Sequence, residues 1–304
     1  MRAKCILGFL LIGLFLLIAS ACQPQVPAGK KTIVVTYSIL GSVVKEMVGD
    51  SVNVVVSVPN GLDPHDWEPS ARDIEAINKA DLVIENGLGL EGGLGKTLNA
   101  ARSRGVKFFT AADHVTVRHV GPGEGIPSGD PDQVVGAPDP HLWTDPLTMK
   151  EVVSALAPAL MKDPGLDVSA RAKELEQRLE ALNGEANGII SPIPEADRKL
   201  VTGHESMGYF AQRYRFKLIG VIVPSLSSQA GASAAALAAL KQAIRENHVK
   251  AVFAEVGTSP AVAKAISDET GVKVVQLTTH ALPADGSYFT FMRNLATVIA
   301  DALK

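Results

Sequence analysis

Cysteine is almost missing from this chain: two occur among 304 residues, Cys5 and Cys22, both near the start. A leader removed just ahead of Cys22 would take Cys5 with it, which leaves no pair for a disulfide and no thiolate cluster for a metal. Stability must then come from the core, and a chain of this length with 46% hydrophobic and 20% charged residues can bury one. Net charge is also small, −3 from 29 basic and 32 acidic residues. No run of Lys or Arg interleaves with aromatics, so no nucleic-acid partner is expected. The apolar run at 5–18 holds about 14 residues, short of the roughly 20 that span a bilayer. Two metal signatures are absent as well, the His-Glu-x-x-His of zinc proteases and the Asp/Asn loop of EF-hands.

Arg2 and Lys4 precede that apolar run and Ala19-Ser20-Ala21-Cys22 follows it, the layout of an export signal over 1–21. The small residues ending in Cys22 resemble a bacterial lipobox, although Ala19 stands where leucine is usual. The resemblance implies that Cys22 is lipidated and that membrane lipid holds the exported protein at the outer face of the bacterial cytoplasmic membrane. Each buried acyl methylene adds about 0.8 kcal/mol to such anchoring. Residues 22–30, polar and bearing prolines, read as the tether.

Beyond the tether, β-branched runs alternate with amphipathic stretches. A strand at 32–38, a helix at 40–48 and a strand at 51–58 form a βαβ unit with parallel pairing. Helices at 70–79 and 97–103 and strands at 81–85 and 106–109 continue the pattern, and a Gly, Pro and Asp-rich loop fills 118–140. Helices follow at 147–161 and 169–190, the second with leucines at 175, 179 and 182 between charges. Alternation resumes with strands at 199–202, 218–222, 251–254 and 272–277 and helices at 207–214, 234–246, 260–269 and 288–303. The expected fold class is α/β, with two α/β lobes, each with a mostly parallel sheet, joined by a long spine helix. Its boundaries are an N-terminal lobe at 31–165, a linking helix at 166–195 and a C-terminal lobe at 196–304.

One motif occurs twice: Asp63-Pro64-His65-Asp66-Trp67 and Asp139-Pro140-His141-Leu142-Trp143. Proline restricts its own φ and the residue before it, so each histidine leaves a stiff turn in a defined direction. The preceding aspartate can orient the imidazole, and the tryptophan can exclude water. A third histidine, His204, lies between a predicted strand and a helix in Thr202-Gly203-His204-Glu205-Ser206. All three fall where open α/β sheets present ligands. Imidazole nitrogen suits Zn²⁺, and Mn²⁺ or iron would need added carboxylates. Of the remaining histidines, His280 follows the last strand and is the candidate for a fourth ligand. His248, His114 and His119 read as loop residues.

These landmarks, with Tyr37-Ser38-Ile39-Leu40-Gly41, Gly61-Leu62-Asp63, Ala80-Asp81-Leu82-Val83, Thr144-Asp145-Pro146 and Phe253-Ala254-Glu255, resemble the zinc/manganese-binding solute-binding lipoproteins of bacterial ABC importers, the TroA/ZnuA-like family. The resemblance covers 31–304 and implies two four-stranded α/β lobes with metal between them. By position it makes His65, His141 and His204 the first three ligands, and His204, where manganese-type members have a glutamate pattern, favours zinc. The family expects aspartate or glutamate at the fourth position, where this chain has Thr278-Thr279-His280, so either His280 or a water completes the site. Four neutral imidazoles would leave the ion's charge to outer carboxylates, for which Asp63, Asp139, Glu205 and Glu255 are the candidates.

The expected function is capture of Zn²⁺ outside the cytoplasm by a monomer and delivery to the membrane permease of an ABC importer, with no reaction catalysed. The same role for Mn²⁺ or Fe²⁺ is the alternative. A zinc hydrolase, which also uses three histidines and a water, and a surface adhesin on the same fold are the readings from other classes.

Overall fold

Strand β1 (Thr32–Tyr37) and helix α1 (Ser38–Val48) show how the first half is built. Ile33, Val34 and Val35 are all fully buried, so both faces of β1 are covered, as a parallel sheet requires. Strand β2 (Asn53–Val58), helix α2 (Ala71–Asn78), strand β3 (Leu82–Glu85), helix α3 (Gly95–Ser103) and strand β4 (Phe108–Thr110) follow. Their sheet has the order β2-β1-β3-β4, all parallel. Helix α2 begins on a reciprocal capping box between Ser70 and Asp73. This computed structural model describes residues 29–122, 124, 135–228 and 231–304. The expected signal peptide, Cys22 and most of the tether lie outside them. No helix among the described residues is long and apolar enough to cross a membrane.

Helix α4 (Pro146–Lys162) starts on Asp145, whose carboxylate accepts the Leu147 N–H at 2.9 Å, with Pro146 in the first turn where its missing N–H costs nothing. Helix α5 (Ser169–Ile190) is the expected spine. Its buried stripe, Leu175, Leu179, Leu182, Ala186 and Ile190, joins the main core. Ion pairs tie it to its neighbours, Arg178 to Glu46 of α1 at 2.7 Å and Lys150 of α4 to Glu180 at 2.7 Å.

The second half runs β5 (Lys199–Thr202), α6 (Gly208–Tyr214), β6 (Lys217–Val221), α7 (Ala234–Glu246), β7 (Ala251–Ala254), α8 (Pro260–Thr270), β8 (Lys273–Gln276) and α9 (Tyr288–Leu303). Alternation along its strands splits the packing between two clusters. Leu200, Ala251 and Phe253 face the main core with α5 and α9, while Val201 and Val252 face a smaller core with Leu240, Ile244 and Ile266. One expectation needs correction: among the described residues this half is not a continuous four-stranded sheet but two parallel pairs, β5-β6 and β7-β8. At the junction, Gly203 N–H donates to the Glu255 side chain at 3.0 Å, so a carboxylate takes a backbone donor from the end of β5. Element boundaries otherwise match the sequence reading to within about two residues, the usual scatter at helix and strand ends.

Candidate metal centre

Each of the four histidines sits just beyond a strand or at the head of a helix. His65 lies in the turn after β2, held by its N–H to Asp63 Oδ1 at 3.0 Å. His141 precedes the short helical turn Leu142–Thr144 that leads into α4, and its N–H donates to Asp139 Oδ1 at 3.0 Å. His204 follows β5, its carbonyl accepting the Thr202 hydroxyl at 2.8 Å. His280 follows β8, where the Trp143 indole N–H pins the Thr279 carbonyl at 2.8 Å.

These turns bring all four imidazoles together, each no more than 3% exposed, with one ring nitrogen apiece inside a sphere where all lie within 4.8 Å of one another. His141 Nε2 stands 3.3 Å from His65 Nε2 and 3.3 Å from His204 Nε2. Nitrogens bound at about 2.0–2.1 Å to one tetrahedral ion would be separated by about 3.3–3.4 Å. His280 Nε2 is buried with no hydrogen-bond partner, an uncompensated polar atom turned into the cluster.

Carboxylates outside the cluster set the tautomers. Asp139 Oδ1 lies 2.9 Å from His141 Nδ1, and Glu255 Oε2 lies 3.1 Å from His204 Nδ1. Nδ1–H therefore points outward on both rings, and their Nε2 lone pairs face each other. Two lone pairs at that distance repel unless a cation, either a metal or a single proton, lies between them. Asp139 Oδ2 also accepts Arg118 Nη1 at 3.1 Å, and Arg118 pairs with Glu124. Gly208 lies against this pair, where an added Cβ would collide with Asp139 Oδ2 and Arg118 Nη1. Behind the His141 turn, Asn86 Nδ2 donates to the Pro140 carbonyl at 2.8 Å, and Glu91 accepts the Asn86 N–H at 2.7 Å.

The electrostatics follow from burial and this wiring. Burial, then the neighbouring imidazoles, lowers His65 to about 3 and His280 to about 4, and holds His141 well below its ordinary value. At His204 burial also works to lower the pKa, but the Glu255 carboxylate outweighs it and the pKa is raised. Burial would raise Glu255, and the facing His204 reverses that, so Glu255 is lowered. Burial pushes Asp139 up to about 6 against the pull of Arg118.

Of the expected outer carboxylates, Asp139 and Glu255 reach ligand imidazoles directly, and Asp63 accepts the backbone N–H of its histidine. Asp63 is half-buried and lowered: burial opposes ionisation, and the facing His280 and His65 overcome it. Glu205 is buried, with its N–H donating to the Ser225 carbonyl at 3.0 Å. The two copies of the repeated motif are thus not equivalent. Trp143 is fully buried against His141 and His280, with ring centroids 5.3 Å from each, whereas Trp67 is only half-buried. His248 and His119 are exposed, and His114 is exposed with its ring stacked on Phe109. Sequence reasoning missed Thr279, Ser206, Arg118 and Asn86. Thr279 carried a signal, a hydroxyl beside a candidate ligand; Arg118 carried none.

A family model described as zinc-uptake complex component A, periplasmic (ZnuA), matches residues 33–302. The chain is 29% identical over 273 residues to the zinc-binding lipoprotein AdcA of Streptococcus pneumoniae, covering 88% of this chain and 54% of that protein. It is 28% identical over 260 residues to the manganese-binding lipoprotein MntA of Halalkalibacterium halodurans, covering 84% and 81%. It spans about half the length of AdcA. The periplasmic zinc binding protein TroA from Treponema pallidum superposes with a TM-score of 0.79 at 25% identity, covering 90% of this chain and 99% of that one. A crystal structure of ZnuA gives 0.75 at 28% identity, covering 90% and 100%. With its fold shared and nearly its whole described length matched, this chain belongs to the family of zinc-uptake complex component A, periplasmic (ZnuA).

Proposed function

We propose that this protein captures Zn²⁺ outside the cytoplasmic membrane and passes it to the permease of an ABC importer, held at the membrane through lipidated Cys22. The observation that carries the reading is the buried set His65, His141, His204 and His280, with one nitrogen each within 4.8 Å of the others. We assign all four as ligands, and Asp63, Asp139, Glu205 and Glu255 as the charges around them. The lobes assigned to 31–165 and 196–304 would contribute two ligands each.

Zinc is favoured over manganese because the donors are four neutral nitrogens and no carboxylate oxygen; imidazole suits Zn²⁺, and oxygen ligands suit Mn²⁺. The related zinc-binding and manganese-binding lipoproteins support cargo of this class and an anchored, extracytoplasmic setting. A catalytic zinc keeps a position open for water, and four protein nitrogens would fill it, which argues against the hydrolase reading. Binding rather than catalysis is also the role of the family. Elemental analysis of protein purified without added metal, followed by competition of Zn²⁺ against Mn²⁺, tests the reading. Stoichiometric zinc held against excess manganese supports it, and preferential manganese loading refutes it.

A further inference from the structure

Thr279 belongs to no motif, yet it stands between the Glu255 carboxylate and the fourth imidazole. Its Oγ1 lies 2.8 Å from Glu255 Oε2 and 2.9 Å from His280 Nδ1, and all three residues are buried. A hydroxyl has one proton to give. The carboxylate has none, so the Thr279 proton goes to Glu255 and an oxygen lone pair faces His280. His280 Nδ1 must then carry its hydrogen, and Nε2, the buried nitrogen with no hydrogen-bond partner, is left as a bare lone pair aimed into the cluster.

Resting on the reading of the site as a metal centre, we infer that Thr279 is a positioning residue. It relays the Glu255 carboxylate to His280 and so holds His280 in the one tautomer that can bind metal. One carboxylate thereby orients ligands from two loops, His204 directly and His280 through the hydroxyl. Glu255 is itself fixed for this task by Gly203 N–H at 3.0 Å and the Ser206 hydroxyl at 2.7 Å. The Thr279 backbone is fixed separately by the Trp143 indole, so the hydroxyl direction does not depend on the ligand it serves. The balancing negative charge sits one layer outward, on Glu255 behind a neutral nitrogen. The relay thus preserves a site of four nitrogens, the donor set that separates Zn²⁺ from Mn²⁺.

The test compares wild type with Thr279→Val, which keeps the shape and removes the hydroxyl, and Thr279→Ser, which restores it. Nitrogen-15 NMR of the metal-free protein reads the His280 tautomer, and chelator competition reads Zn²⁺ affinity. The relay predicts Nδ1–H in wild type and in Thr279→Ser, and conversion to Nε2–H in Thr279→Val. It also predicts a loss of roughly 10- to 100-fold in zinc affinity for Thr279→Val, the usual effect of removing an outer partner of a ligand. The valine change should add nothing further to His280→Ala. An unchanged tautomer with unchanged affinity, or losses that multiply independently with His280→Ala, overturns the relay while leaving zinc capture intact. A wild-type protein that takes up no zinc overturns both.

Discussion

Asp139→Asn and Asp63→Asn make the same change at the same place in the two copies of one motif, and the structure predicts different outcomes. Asp139 is fully buried, with Oδ1 facing His141 and Oδ2 bound to the buried Arg118 at 3.1 Å. An asparagine there must turn its NH₂ toward either the Arg118 guanidinium or the His141 N–H groups, setting donor against donor. Breaking one side of a buried ion pair costs about 3–5 kcal/mol. Pairing of Arg118 with Glu124 offsets part of this, so about 3 kcal/mol is expected for metal-free protein. Loss of the imidazole's orienting partner should weaken zinc by about 10- to 100-fold, or about 1.4–2.7 kcal/mol. Asp63 is half-buried, and the hydrogen bond it accepts from the His65 backbone N–H is one that asparagine can also accept. Its replacement should cost under about 1 kcal/mol of stability, and zinc affinity should fall modestly because a carboxylate facing His280 and His65 loses its charge. Denaturant unfolding of the metal-free variants and chelator competition for Zn²⁺ measure both quantities. Equal stability losses at the two positions would refute the claim that the motif copies are wired differently.

Three further outcomes follow from the same geometry. His65→Ala, His141→Ala and His204→Ala should each reduce zinc affinity strongly in titration calorimetry while the metal-free protein still folds; full affinity in any one removes that residue from the site. His280→Asp, which exchanges a nitrogen donor for a carboxylate oxygen, should lower the zinc-to-manganese preference by about tenfold or more in competition titration, and an unchanged ratio would show that the fourth donor does not set the preference. Acid dependence should be shallow. The Glu255 carboxylate, against burial, makes His204 the first imidazole to take up a proton as pH falls, while His65 and His280 stay neutral down to about 3 and 4. Of the four imidazoles, zinc then displaces a proton from His204 alone until the pH nears about 4; nitrogen-15 NMR of the metal-free protein showing a second imidazole protonated well above that pH would refute the assignment.

Much of this was readable from residues alone, for definite reasons. Helices such as α5, α7 and α9 and strands such as β5 and β7 stand where periodicity put them, because their buried faces repeat at 3.6 or 2 residues. His65, His141 and His204 were legible because proline turns and strand ends are local signals. His280 was a candidate by position, and only the fold shows its ring stacked against His204 at 5.2 Å. The outer wiring was less legible, since it depends on contacts between distant residues. Glu255 meets Gly203 across 52 positions, and Arg118 meets Asp139 through a loop without periodicity. The break between β5-β6 and β7-β8 was hidden for a related reason: strand propensity says nothing of which neighbour a strand pairs with.

The unequal tryptophans make the protein its own optical reporter. Trp143, sealed from water with its indole N–H on the Thr279 carbonyl and its ring beside His141, His280 and Tyr37, is placed to sense a change at the centre; half-buried Trp67 supplies a separate background signal. With Trp67 replaced by phenylalanine, the remaining fluorescence comes from a single chromophore touching two of the four imidazoles. Filling and emptying of the centre can then be followed in real time, without dye, label or radioactive metal.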